Sequence, residues 1–464
     1  MIMQKILLSI LLISGSLWAN TTVPSIGSEL KITIYNDNRA FINDKREVEV
    51  KQGKQKLVYE GVPSSVITQS VVPTFIGMKT NLYSQNYMYD LISLTSMLEK
   101  SINKTVAFYT NGDEPRLLEG TLLSINPVMI QELGKANIYT LERATQVIFS
   151  KIPENMITKP SLVWNMETES AGTLGIDLKY LTTGISWKSD YVLSLKKDVL
   201  DLTGWITVEN NSGVAYKNAQ ITCLAGDVNK VQNRPNIERR VYKVKAMMDM
   251  AAMEAVQEES FSGYHIYKIP FKETIENKQQ KQIVFIDKKE IAYTQYGIHN
   301  NNYFERYGEQ KLVFSNTIQF KNTKNNNLGL PLPKGVVRMY QKDSSDETHF
   351  IGEQNVGNIP EDENVTLTIG TLFDAVGEKS ITKYEARKHY RNVETTYNVR
   401  NQGKEPLILK IKEQIPTYGD KIVVKTSCKG VCSVEKKSAF IREFTIRLKA
   451  KEKYVFTSEF EVNF

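Results

Sequence analysis

The sequence predicts a mainly β, multidomain protein with β-sandwich-like regions, a small Sm- or SH3-like barrel and one short helix. Three observations carry this. Segments such as Lys31-Ile-Thr-Ile-Tyr35 and Val365-Thr-Leu-Thr-Ile369 alternate apolar and polar residues, the period of a strand with one dry face. Turn residues punctuate these segments about every ten positions. One stretch, residues 87–101, instead spaces Tyr87, Leu91, Leu94 and Leu98 as a helix would before strands resume. Hydrophobic residues make up 41% and charged residues 24%, an ordinary globular composition that excludes global disorder. The length of 464 residues suits about two to four domains.

Residues 1–19 read as a signal peptide. Lys5 gives the positive start, residues 6–13 are apolar apart from Ser9, and Ala19 fits a cleavage site; an uncleaved anchor is the alternative. The run is too short to span a bilayer, no later stretch suits a transmembrane helix, and no Cys lies near the cleavage point to carry a lipid. Export implies a periplasmic or cell-envelope location and argues against nucleic acid as a partner.

Residues 20–84 form an N-terminal β module, in which 47–50 and 56–59 flank Gly53 as a hairpin. Residues 85–155 give the helix and the small barrel, with strands at 106–109, 118–125, 128–131, 138–141 and 147–149. Residues 156–235 form a β-sandwich-like region. It holds the three tryptophans beyond the leader, Trp164, Trp187 and Trp205, which are expected to fill one core. Residues 236–262 are a polar, exposed insertion, partly helical or mobile, because 245–256 are strong helix formers. Residues 263–380 complete this β region, and 381–464 form a C-terminal sandwich-like domain. There Leu407, Leu409 and Ile411 oppose Lys410 and Lys412, and Phe444, Ile446 and Leu448 oppose Thr445, Arg447 and Lys449.

Several of these segments carry a resemblance. Residues 180–187 (Tyr-Leu-Thr-Thr-Gly-Ile-Ser-Trp), Tyr191, residues 204–213 (Gly-Trp-Ile-Thr-Val-Glu-Asn-Asn-Ser-Gly) and 218–221 resemble the domain of unknown function found in mucoidy-inhibitor A-like exported bacterial proteins. Residues 329–340, 351–353 and 367–370 look like its second half. Ile34, Tyr35, Arg39, 48–50 and 61–63 are similar to the strand module that often precedes it. Better-known members carry a coiled coil after that module; here a helix and small barrel stand in its place, so long-stalk functions do not transfer. The resemblance implies an exported or envelope β protein of unknown activity and supplies no catalytic residues.

The chemistry sought along the chain is sparse. His265, His299, His349 and His389 are far apart, and no His-Glu-x-x-His, Gly-x-Ser-x-Gly or phosphate-cradling motif occurs. No catalytic, cofactor-binding or metal-ligating residue is assigned, no cofactor is implied, and the chain reads as a non-enzyme, although a triad can be assembled from distant residues. Residues 343–349 (Asp-Ser-Ser-Asp-Glu-Thr-His) group three carboxylates with a histidine, a cation-site pattern that also suits a polar hairpin loop; the loop reading is preferred. Met247, Met248, Met250 and Met253 would suit Cu(I) or a partner surface, but filler in a helix-prone insertion is the simpler account.

Cys428 and Cys432 are a candidate disulfide across a turn, with two free thiols as the alternative; no His nearby completes a metal site. Cys223 alternates with Ile221 and reads as a core residue. The formal net charge is +7, and residues 381–464 hold 18 Lys/Arg against 10 Asp/Glu. That surplus is either a solvated face or a surface for anionic lipid or polysaccharide. Tyr454, Phe456, Ser458, Phe460, Val462 and Phe464 share one face, as in the closing strand of an outer-membrane barrel or the last strand of a sandwich. The leading reading is an exported envelope protein that binds or scaffolds an envelope protein or glycan through loops on rigid sheets. An integral outer-membrane β-barrel and a hydrolase of envelope polymers are the alternatives.

Overall fold

Alternation becomes sheet almost wherever the sequence shows it. The computed structural model describes residues 19–23, 27, 29–153, 156–226, 257–261, 263–301, 308–415 and 421–463, mainly as strands. The leader at 1–18, the methionine cluster, Phe464 and most of the polar insertion lie outside the described residues. The insertion's end, Gln257–Phe261, is a strand paired antiparallel with Tyr264–Ile275. The chain divides into one unit of residues 1–187 and 208–281 and another of residues 188–207 and 282–464.

In the first unit, Arg39–Val50 buries every second residue from Ala40 to Val50. It lies inside a seven-stranded sheet, between Glu29–Tyr35 and Gly172–Thr183. Gly53–Glu60 belongs to a different, four-stranded sheet, between Ala19–Val23 and Ser161–Thr168. The expected hairpin is therefore a corner. Gly53 turns the chain at φ +94°, but the two strands leave it for separate sheets. Those sheets meet through aromatic packing: Trp164 of the four-stranded sheet touches Phe75 of the other edge-on, with ring centroids 5.8 Å apart. A third sheet holds Ile138–Leu141, Val128–Glu132, Leu117–Ile125, Thr105–Tyr109 and Val147–Ile148 in that order. Its core is Leu98, Phe108, Leu122 and Ile130. Its two end strands do not pair, so the module is an open sheet and not a closed barrel.

The helix is shorter than its spacing predicts. It runs Leu94–Glu99, started by Ser93 Oγ, which accepts from the Ser96 amide at 3.1 Å. Residues 80–88 are strand because Ser161–Thr168 offers them a ladder, and a paired edge outweighs a weak helical period. Nor do the tryptophans share one core. Trp164 and Trp187 are buried in the first unit, while Trp205 is half-buried in the second.

In the second unit, Leu407–Gln414 pairs antiparallel with Ile441–Leu448 and in parallel with residues 297–301. A five-stranded sheet supplies the other wall, in the order Glu309–Leu312, Ala375–Arg387, Tyr390–Asn401, Lys453–Asn463 and Lys421–Thr426. Phe314, Tyr397, Leu409, Ile411, Phe444 and Phe456 fill the space between. The final strand is thus an interior strand of an open sheet, and no sheet among the described residues closes into a barrel. Within this core Tyr397 Oη donates to Glu413 Oε1 at 2.6 Å, Ser458 Oγ donates to Glu413 Oε2 at 2.6 Å, and Asn301 Nδ2 donates to Tyr397 Oη at 2.7 Å. Lys379 Nζ donates to Asn301 Oδ1.

Two outcomes follow. Burial raises the Glu413 carboxyl above its ordinary 4.5, against the donors from Ser458 and Tyr397. The folded chain therefore holds that proton longer than the unfolded chain, and stability is lost as pH rises past 4.5. Urea midpoints measured from about pH 4 to pH 7 should fall for the wild type relative to Glu413→Gln; a constant gap between them would refute this. Cys428 and Cys432 are joined by a disulfide, with Cα atoms 5.2 Å apart. Closing so short a loop is worth about 2 kcal/mol, the loss expected in urea unfolding of the Cys428→Ser/Cys432→Ser double variant.

Candidate functional site

The residue pattern of Arg39–Val50 holds one anomaly. Its dry face runs Ala40, Ile42, Asp44, Arg46, Val48, Val50, placing two charges where apolar residues belong. They compensate each other. Arg46 Nε and Nη2 donate to Asp44 Oδ2 at 3.0 and 2.6 Å, and Arg46 Nη1 donates to the Glu60 carbonyl at 2.7 Å. The guanidinium lies 4.0 Å from the Tyr59 ring centroid, and Tyr59 Oη donates to the Asp44 carbonyl at 3.4 Å. Burial opposes the charge on Arg46, but the Asp44 carboxylate more than restores it, so its pKa lies above the usual value. Gly27 packs so closely that a Cβ there would meet Asp44 Oδ1 at 2.5 Å.

This pair forms part of the wall of a cavity of about 570 Å³, within the range of ligand pockets, about 300–1,000 Å³. Tyr180 and Tyr216 also line it, as do the apolar Leu30, Leu91, Pro160 and Val214; Lys159, Lys217 and Lys272 stand exposed at its edge. Burial pushes both phenols far above their usual pKa, so they are neutral hydrogen-bonding groups at physiological pH. Tyr216 is 2% exposed, and its hydroxyl makes no hydrogen bond to a described residue, with the Ser212 hydroxyl nearby. The Ser212 hydroxyl donates to Asn210 Oδ1 at 2.8 Å. A buried polar group without a partner costs about 1–3 kcal/mol, and a ligand in the cavity can meet it.

The rim loop is built by Asn210, where the strand Val199–Asn210 ends. Its Nδ2 donates to the carbonyls of Val214 and Glu276 at 2.8 and 3.1 Å, and its Oδ1 accepts from the Ser212 amide at 3.1 Å. Gly213 then turns at φ +98°, where a Cβ would meet Ser64 Oγ at 2.6 Å. Among the described lining residues there is no histidine, cysteine or second carboxylate. The arrangement offers charge, hydroxyls and shape for binding.

The residues singled out from the sequence lie elsewhere. Asp343 and His349 do come together, with His349 Nε2 2.9 Å from Asp343 Oδ2, and Glu347 joins them within 4.8 Å. That hydrogen bond lowers the Asp343 pKa, helped by the Ser345 and Glu347 amides. All three are exposed: Asp343 and Glu347 lie on the loop between Gly335–Lys342 and Thr348–Val356, and His349 lies at the start of the second of these strands. His265 meets Glu258 at 2.6 Å and His299 meets the Val313 carbonyl at 2.9 Å, each in its own surroundings. Cys223 is a buried free thiol whose pKa burial raises. Asp44 and Arg46 were not singled out, although the parity of Ala40, Ile42, Val48 and Val50 places both on the inward face.

The pair sets one expectation. Arg46→Met leaves Asp44 buried and unpaired, and unfolding in urea should show a loss of about 3–5 kcal/mol. Adding Asp44→Leu should recover most of it; a double variant as unstable as the single would show that the pair is not what matters.

Residues 176–464 match the profile of a family described as "Domain of unknown function (DUF4139)". No curated protein matches the chain.

Proposed function

The chain belongs to the DUF4139 family of unknown function, and from that premise we propose that it is an exported cell-envelope protein that binds a small ligand in the first unit's cavity without transforming it. The observation that carries this reading is the buried Tyr216 hydroxyl, with no hydrogen bond among the described residues, lining the same cavity of about 570 Å³ as the Asp44–Arg46 pair. The exposed lysines at its edge favour a ligand with an anionic group, and the aliphatic wall favours an apolar body beside it. Phenols held neutral and a carboxylate tied to Arg46 suit recognition better than proton transfer. Export is supported by the leader-like residues 1–19 and by the Cys428–Cys432 disulfide, since disulfides persist in oxidising compartments.

Native mass spectrometry of protein isolated from its own envelope tests the cavity. The wild type should retain a small bound molecule, and Ala215→Trp, which fills the cavity, should lose it at unchanged fold. An adduct equally present in the tryptophan variant, or none in the wild type, would remove the cavity from the account. Release by osmotic shock is the expected behaviour of the chain in cells; retention in the membrane until detergent is added would contradict it.

A further inference from the structure

We propose that the second unit carries a separate site, on the sheet face around Lys410 and Lys412, that takes the carboxylates of an acidic glycan. The strand Leu407–Gln414 buries Leu409 and Ile411 and turns Lys410 and Lys412 outward, two residues and so roughly 7 Å apart along it. Glu443 stands directly opposite Lys412 on the neighbouring strand and is itself buried. Three ammonium groups converge on this carboxylate: Lys410 at 3.6 Å, Lys437 at 3.9 Å and Lys412 at 4.0 Å. Lys437 is also held by Glu435 Oε2 at 2.7 Å, which leaves Lys410 and Lys412 to share one buried acid.

Two cations on one carboxylate leave positive charge that a second anion would neutralise. Their positions are set beforehand. Glu443 attracts both, and Lys410 Nζ lies 4.0 Å from the Tyr296 ring centroid, a cation–π contact that favours this ammonium position. The lysines border a concavity of about 390 Å³ whose lining includes Gln319, Thr366 and Thr368, hydroxyl and amide groups matched to sugar hydroxyls. A bilayer would instead need protruding apolar side chains, and among the described lining residues the one aliphatic side chain is Ile298, half-buried, while Tyr296 is buried. The basic surplus of residues 381–464 thus includes lysines gathered at one shaped place.

Calorimetric titration of the full-length chain with oligogalacturonate tests the proposal. Binding is expected at low salt, weakened as salt screens the charges, with neutral dextran inert. Lys410→Gln/Lys412→Gln should weaken it about tenfold or more, and Lys410→Arg/Lys412→Arg should retain it. Lys288→Gln/Lys289→Gln, which removes equal charge elsewhere on the surface, should leave it unchanged. Circular dichroism checks that each variant folds. Absence of oligogalacturonate binding, binding undiminished in the glutamine pair, or binding confined to anionic phospholipid vesicles would overturn the proposal.

Discussion

Backbone groups lose their ladder partners where a strand stops, and inside a protein they must find others. This chain meets that demand repeatedly with a buried asparagine. Asn210, Asn322 and Asn401 are at most 1% exposed. Asn322 Nδ2 donates to the Leu330 and Pro360 carbonyls, each at 2.8 Å, while its Oδ1 accepts from the Gly329 amide at 3.1 Å. Asn401 Nδ2 donates to the Glu405 and Lys449 carbonyls at 2.8 and 3.0 Å, and its Oδ1 accepts from the Gly403 amide at 2.9 Å. An amide side chain suits this role because it carries donors and an acceptor on one short stem. The sheets of both units depend on it, since each such loop keeps a fixed shape at the end of a regular strand.

Asn210 links this constraint to the cavity. The loop it holds carries Gly213 to Asn218 along the rim, and Tyr216 begins the next strand, Tyr216–Ala225. The Asp44–Arg46 pair is the costlier element. Burying both charges gains little net stability over apolar residues of similar size. Its presence on a face otherwise lined by Ala40, Ile42, Val48 and Val50 is understandable if polar recognition is needed there. The buried Glu413 network shows another solution to the same problem. There Tyr397 and Ser458 donate to the carboxylate and Asn301 donates to Tyr397.

Much of the fold was legible because a two-residue period is a direct record of which side is dry. It correctly assigned Leu409 and Ile411 to the core and Lys410 and Lys412 outward, and it located all five strands of the module between Thr105 and Ile148. It failed where local pattern met a distant partner. Tyr87 lies at helical spacing from Leu91 yet sits in a strand, opposite Leu162. Gly53 reads as a hairpin turn because the residues on either side alternate, but alternation carries no information about which strand pairs with which. The candidate site was half legible. The parity of Asp44 and Arg46 could be read, while their convergence with Tyr180 and Tyr216 could not.

The sequence by itself determined most of the strands and which of their faces are dry, since strand periodicity, turn residues and side-chain polarity act over a few residues. Only the tertiary structure decided the pairings. Gln220–Leu224 runs parallel to Lys31–Tyr35, and residues 189–195 run parallel to 335–341, across separations that no local signal spans. Parallel neighbours need a long crossover, so the contacts that close the cavity and gather the lysines come from segments whose proximity is set by packing of whole sheets.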